Sequence, residues 1–300
     1  MEPRGRPRAC PRRWKPGTLN KGTTTTTTRI TRRFDELRRT GNLGLVAYLT
    51  AGDPTLEATE RLVVLLAEAG ADVVEVGVPF SDPIADGPAI QRASERALRG
   101  GTTLAGVLGL VKRLRQKTEV PLVLFSYFNP VLQMGLEKFA DAAAAAGADG
   151  VLITDLTPEE ADEYRRAVTA RGLDTIFLAA PTSTDARLRR IAESSTGFLY
   201  VVSRTGVTGT REMLPEDLPA LVRRARGVTS LPIAVGFGIS LPGHIAVLGG
   251  LADAAVVGSA LVEEIERAKS LDAAGVAVTE RIRLLKRAAQ QGMSRREART

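Results

Sequence analysis

At 300 residues, 44% of them hydrophobic and 25% charged, the chain is long enough to bury a full core, as one barrel or as two smaller domains. Its net charge of +7 sits almost wholly in residues 1–28, where seven basic side chains (Arg4, Arg6, Arg8, Arg12, Arg13, Lys15, Lys21) face one acid, Glu2; the nearly neutral body lacks the basic face of a nucleic-acid binder. No stretch approaches the roughly 18 uninterrupted apolar residues of a membrane span, and a single cysteine (Cys10) with a single histidine (His244) excludes internal disulfides, Cys/His metal sites and His-dependent triads.

The first 28 residues are rich in Pro, Arg, Gly and Thr and end in the run Thr23–Thr28. Such a segment buries too little apolar surface to offset its ordering entropy, so a disordered basic tail is expected. It lacks a secretory apolar core, and its prolines oppose the amphipathic helix of an organelle transit peptide; an overextended translation start is the simpler explanation. Residues 29–290 read as one catalytic domain and residues 291–300 as a polar C-terminal tail.

From Arg29 onward a module recurs: a helical stretch, a glycine, an Asp, then a short β-branched run. Gly70-Ala71-Asp72 leads into Val73–Val76, Gly147-Ala148-Asp149 into Gly150–Ile153, and Gly250-Leu251-Ala252-Asp253 into Ala254–Val257. The glycine is expected to supply a left-handed helix cap, and the apolar run has the length of a strand buried on both faces. Leu43–Leu49, Pro121–Phe125, Asp174–Leu178, Gly197–Val202 and Leu231–Val235 bring the total to about eight strands. Helical patterns lie between them, such as Leu62–Leu66 and Ile90, Ala93, Ala97 and Leu98. The expected fold is α/β, a single-domain (βα)₈ TIM barrel; an open doubly wound sheet is disfavoured because no Gly-x-Gly-x-x-Gly follows the first strand.

In such a barrel the reactive side chains belong at the C-terminal ends of the strands. The second strand carries Glu75 between valines, where burial is costly for an unpaired carboxylate and raises its pKa, as suits a group that passes protons both ways near neutral pH. A structural salt bridge is the alternative, open on position alone. Asp86 sits one residue before a helix cap at Gly87-Pro88, where local hydrogen bonding would suffice to explain it. The pairing of two carboxylates on one strand and its loop is what points to catalysis. Beyond the seventh strand lies Gly236-Phe237-Gly238-Ile239-Ser240, and beyond the eighth Val257-Gly258-Ser259-Ala260, with a helix expected to start at Ser259. Glycines admit an anion to the backbone amides and the helix adds its positive end, which points to phosphate. The stretch Ser203–Thr210 has the glycines and hydroxyls of a lid. His244, beside Pro242 and Gly243, is expected on the surface or as a helix cap.

Glu75–Pro88, reading EVGVPFSDPIADGP, resembles the signature of the tryptophan synthase α-subunit family. Ala51-Gly52-Asp53-Pro54, Tyr127-Phe128-Asn129-Pro130, Gly206-Val207-Thr208-Gly209, Gly236–Ser240 and Val257-Gly258-Ser259 resemble its other loops in the same order, over about residues 29–270. The resemblance implies retro-aldol cleavage of indole-3-glycerol phosphate to indole and glyceraldehyde 3-phosphate. Glu75 would be the acid/base, and Asp86 would hold the indole N–H. Tyr200 would position Glu75, Tyr48 and Tyr127 would line the indole pocket, and Thr208 would close the lid onto Asp86. Gly209, Gly238, Gly258 and Ser259 would bind phosphate. No metal and no cofactor is implied in this chain. The implied partner is a pyridoxal-phosphate β subunit in a cytoplasmic αββα heterotetramer, docked near Asp82, Pro83, Asn129 and Asp155. One departure is Thr157, where the family more often has proline.

Three other readings share part of this pattern. An autonomous indole-glycerol-phosphate lyase would carry every catalytic residue. A sugar-phosphate isomerase would explain the late glycines but not the second-strand motif. A non-catalytic activator of the β enzyme would have no need of Glu75 and Asp86.

Overall fold

The structure, a computed structural model, describes residues 27–203, 214–236 and 238–297. Nine parallel strand segments form one sheet: β1 Gly44–Thr50, β2 Val73–Gly77, β3 Leu122–Ser126, β4 Gly150–Ile153, β5 Asp174–Ile176, β6 Leu178–Ala179, β7 Leu199–Val202, β8 Ile233–Gly236 and β9 Ala254–Val257. Their order is β5-β4-β3-β2-β1-β9-β8-β7-β6, and the two outermost segments are separated in the chain by Phe177 alone. The sheet is therefore a nearly closed barrel. The single fifth strand expected from the sequence is split: β5 pairs with β4, β6 with β7, and the carbonyl of Phe177 between them still accepts from Tyr200 N at 3.3 Å.

Alternation along each strand explains why these runs are apolar on both sides. Leu45, Ala47, Leu49, Val74 and Val76 pack outward into the layer of helices, while Val46, Tyr48, Val73, Val123 and Phe125 fill the barrel. The N-terminal end of the barrel is stoppered by helix Arg29–Thr40, whose Ile30, Phe34 and Leu37 join the interior cluster; the rings of Phe34 and Phe198 lie 5.5 Å apart. Thr28, assigned to the tail on composition, is instead the cap of this helix. Its hydroxyl accepts from Thr31 N and donates to Asp174 Oδ2 at 2.6 Å. Residues 1–26 lie outside the described residues.

The recurring glycine–Asp module is a latch at the same end of the barrel. Each Asp precedes its strand and accepts an N–H from the first or second residue of the neighbouring one: Asp72 from Leu45 (2.6 Å), Asp149 from Leu122 (2.8 Å), Asp253 from Ile233 (2.7 Å). Arginine or lysine partners neutralise these carboxylates: Arg33 and Lys286 on Asp72, Arg115 and Arg29 on Asp149, Arg226 on Asp253. Gly70 and Gly147 cap their helices at φ 109° and 85°, in the left-handed region as expected. The third module departs from this: helix Pro242–Leu248 ends at Gly249, one residue before the expected Gly250, and with φ −55°, a right-handed cap.

At the opposite, C-terminal mouth the barrel carries additional helices, Pro88–Arg99 after β2 and Ser259–Arg267 after β9. The last helix, Leu271–Glu297, continues past the boundary expected at residue 290, so the terminal polar segment begins as helix. Among the described residues no helix is long and apolar enough to cross a membrane.

Candidate active site

Glu75 is the third residue of β2, with Tyr48 and Val123 as its register partners on β1 and β3. It shares the parity of Val73, so its side chain enters the barrel. It is 1% exposed, and neither Oε1 nor Oε2 has a hydrogen-bond partner among the described residues. The structural salt bridge left open by the sequence is not formed there. Burial alone pushes its carboxyl up to about 8, so at neutral pH the group carries a proton.

Asp86 lies two residues before helix Pro88–Arg99, whose cap is Gly87. Its backbone is tied locally: Asp86 N donates to Pro83 O, and Asp86 O accepts from Gln91 Nε2 at 2.9 Å. The carboxylate, in a side chain 6% exposed, caps no amide among the described residues and faces the Tyr127 hydroxyl. Burial raises it to about 6 against the lowering effect of that hydroxyl. Between these two values the site holds one protonated and one ionised carboxyl, an acid and a base separated by environment.

Two tyrosines complete the interior. Tyr48, edge-on to Phe125 at 5.1 Å, has its hydroxyl 3.3 Å from Thr50 Oγ1. Tyr200 on β7 faces the same carboxylates, and burial together with the charges of Glu75 and Asp86 holds both phenols above their ordinary range, firmly protonated. Each ring lies over a glycine. A Cβ on Gly77 would stand 2.2 Å from the Tyr48 hydroxyl, and one on Gly236 would stand 2.2 Å from the Tyr200 hydroxyl. Tyr127 lies beside Phe80 and its hydroxyl accepts from Ala85 N at 3.0 Å, which fixes the loop carrying Asp86. Phe125 and Thr50, which meet Tyr48, are ordinary strand residues with no local signal of that role, and Phe80, which meets Tyr127, is marked only by its place within the Glu75–Pro88 motif.

Helix Ser259–Arg267 starts at Ser259, as expected, with Gly258 as its cap. That cap has no side chain and the first turn no acid, so among the described residues no side chain caps its opening amides, which suits an external acceptor. Gly258 lies against Tyr48, its virtual Cβ 3.5 Å from Tyr48 Cβ, and Gly238 adopts φ 78°, a conformation suited to glycine. Thr208 and Gly209 lie outside the described residues. His244 caps, as one of its two expected roles required, but from a buried position: its Nδ1 accepts from Ser240 N and Leu241 N at 3.2 and 3.4 Å. At the rim, Asp82, Asn129 and Asp155 are exposed and Pro83 half-buried. Thr157, the departure from the family pattern, makes a local turn, its hydroxyl donating to Glu160 Oε2 and its carbonyl accepting from Glu160 N.

Fold and site together define a (βα)₈-barrel enzyme with a pair of buried, raised carboxyls at the C-terminal mouth. The profile of the family described as tryptophan synthase alpha chain matches residues 34–291. The tryptophan synthase alpha chain of Solibacter usitatus is 57% identical over 240 residues, 80% of this chain and 90% of that one. The solved tryptophan synthase of Mycobacterium tuberculosis superposes with a TM-score of 0.80 at 38% identity, covering 87% of this chain and 98% of that chain. A chain of the tryptophan synthase complex from Pyrococcus furiosus does so with 0.75 at 39% identity, covering 82% and 97%. This chain belongs to the tryptophan synthase α-chain family. It is a lyase of tryptophan synthesis, and none of the three other readings is favoured by these relatives.

Proposed function

We propose that the chain cleaves indole-3-glycerol phosphate to indole and glyceraldehyde 3-phosphate, with Glu75 as the acid/base and Asp86 as the indole anchor. The observation that carries this reading is the pair of buried carboxyls, one near 8 without a partner and one near 6. At neutral pH Asp86, ionised, accepts the indole N–H. Glu75, protonated, gives its proton to indole C3, and the positive charge that develops on the ring nitrogen is balanced by Asp86. The Glu75 carboxylate then takes the proton of the hydroxyl on the carbon attached to C3. The carbonyl forms, the C–C bond breaks, and its electron pair returns to the ring, so Glu75 ends protonated as it began.

Tyr200 positions Glu75, while Tyr48 and Tyr127 line the indole pocket. Gly209, Gly238, Gly258 and Ser259 receive the phosphate, and Thr208 closes the lid onto Asp86. These steps draw only on side chains and backbone amides of this chain. The catalytic unit is the barrel of residues 29–290, capped at its start by Thr28.

The product indole passes to a β subunit, which condenses it with serine using its own pyridoxal phosphate, in a cytoplasmic αββα assembly. Asp82, Pro83, Asn129 and Asp155 face that partner. The experiment is to mix the pure chain with indole-glycerol phosphate, with and without a β subunit. Slow indole release alone, accelerated and converted to tryptophan on mixing, is the expected result; fast release of free indole that a β subunit leaves unchanged would identify an autonomous lyase.

A further inference from the structure

Four charged side chains outside the reacting centre form one continuous chain. Asp53, in the loop after β1, is 3% exposed and receives two parallel bonds from Arg96, Nε to Oδ1 and Nη2 to Oδ2, both 2.8 Å. The remaining Arg96 nitrogen donates to Glu266 Oε1 at 2.7 Å, and Arg92 makes two bonds to the same carboxylate at 2.8 and 2.6 Å. Hydrogen bonds from Arg92 and then Arg96 hold the Glu266 carboxyl down to about 2. Three segments are joined in this way: the β1 loop, helix Pro88–Arg99 and helix Ser259–Arg267.

The two helices start at opposite ends of the proposed substrate. One begins just after Asp86, which takes the indole, and the other at Ser259, which takes the phosphate. Both also enter the barrel's interior cluster, through Ala89, Ile90 and Ala93 on the first and Val262 on the second. Arg96 alone among the described residues bonds to both the β1 loop and helix Ser259–Arg267 from the helix that follows Asp86. A planar guanidinium with bidentate geometry on one side and a third bond on the other fixes orientation as well as distance.

We propose that Arg96 is a positioning residue that sets the span between Asp86 and the Ser259 amides, selecting ligands whose indole and phosphate are separated by a three-carbon chain. This rests on the assignment of those two ends given above. A ligand that carries both groups gains from their linkage only when the site's span matches its own, whereas either group alone is indifferent to it. A misplacement of about 1 Å can cost about 10²-fold in rate, and the linkage itself is worth about 10²-fold or more in affinity.

The test compares the full-length chain with Arg96→Lys and with Glu266→Gln. The second weakens the helix–helix junction while leaving buried Asp53 paired, so it guards against a variant that merely fails to fold. Affinities are measured by calorimetry for three probes: indole, glycerol 3-phosphate, and 3-(indol-3-yl)propyl phosphate, which joins the two. The linked probe should weaken about 10²-fold in both variants and each half-probe by less than about threefold. In turnover, kcat/KM should fall with the linked probe's affinity while the pH limbs stay in place, because neither carboxyl of the reacting pair is touched. Equal losses for the linked probe and for glycerol 3-phosphate would overturn the proposal and confine the network to the phosphate end. A wild-type chain that binds indole and the linked probe but no glycerol 3-phosphate would overturn the phosphate assignment itself, and the span with it.

Discussion

Tyr48 and Glu75 are register partners on β1 and β2, and both side chains turn into the barrel, so a phenol stands beside a carboxyl from which water is excluded. The phenol is raised partly by the charge of Glu75, and the carboxyl is raised by burial. The Glu75 charge therefore favours the protonated phenol, while burial favours the protonated carboxyl. The consequences extend from stability to rate.

The raised carboxyl makes stability fall with pH. Glu75 has an ordinary value of 4.5 and rises to about 8 in the folded chain. Between those values the native state binds more protons than the unfolded state, so this group's contribution worsens as pH rises through the window, by at most about 5 kcal/mol. Glu75→Gln removes that slope. Urea melts of both proteins at pH 5 and pH 9 should show the variant gaining on wild type by a few kcal/mol at the higher pH. Melts that keep the same separation at both pH values would mean that Glu75 is not buried as a neutral acid.

The rate should have two limbs. In the proposed mechanism Asp86, protonated below about 6, would lose its hold on the indole N–H, and Glu75, ionised above about 8, would lack the proton for C3. A plot of log kcat/KM against pH for indole-glycerol phosphate cleavage should therefore be bell-shaped, with limbs near those values. Asp86→Asn should flatten the acid limb while the alkaline limb remains. Loss of the alkaline limb in that variant would reverse the assignment.

Glycines under the tyrosines should tolerate no side chain. Gly77→Ala would put a Cβ 2.2 Å from the Tyr48 hydroxyl, and Gly236→Ala would do the same to Tyr200. Overpacking of this kind typically costs about 1–3 kcal/mol, and displacement of either ring should lower kcat/KM by about 10²-fold or more. Gly109→Ala is the control, since only Arg113 Nη1 at 3.8 Å lies near its virtual Cβ. Steady-state kinetics on the three variants decide it, and normal turnover by Gly77→Ala would show that Tyr48 does not need its place.

Much of this was legible because each signal was local. A strand buried on both faces has to be an apolar run, and one charged residue inside such a run, Glu75, stands out. Ser259 after a glycine announced its helix. What escaped depends on residues far apart in the chain. The split at Phe177 reflects pairing with two different neighbours, and the Arg96–Glu266 pair joins residues 170 apart, without any local pattern. Composition places Thr28 in the tail because it describes a segment, while capping depends on a single hydroxyl. Gly249 shows the converse limit, since a glycine after a helix permits a left-handed cap without requiring one.

The tail boundary follows from Thr28. Removing residues 1–26 should leave the melting temperature and the cleavage rate nearly unchanged. Thr28→Ala, or removal through residue 28, should cost about 1–2 kcal/mol, because the cap of the stopper helix and its bond to Asp174 both go. Thermal melts of the three proteins separate the cases. A drop of several degrees on removing residues 1–26 alone would show that the tail docks.

The role proposed for Glu75 is to move both protons of the cleavage. Its most direct test is the release of glyceraldehyde 3-phosphate from indole-glycerol phosphate by Glu75→Gln, measured with a β subunit present and beside the same mixture's indole-plus-serine rate. The amide keeps the size of the side chain and spares the barrel a buried acid, so the variant should fold, bind the β subunit and stimulate its reaction. Cleavage should fall by about 10²–10⁴ or more, because one group serves both transfers. Cleavage within tenfold of wild type, with the partner reaction equally stimulated, would contradict the account and place the acid/base elsewhere.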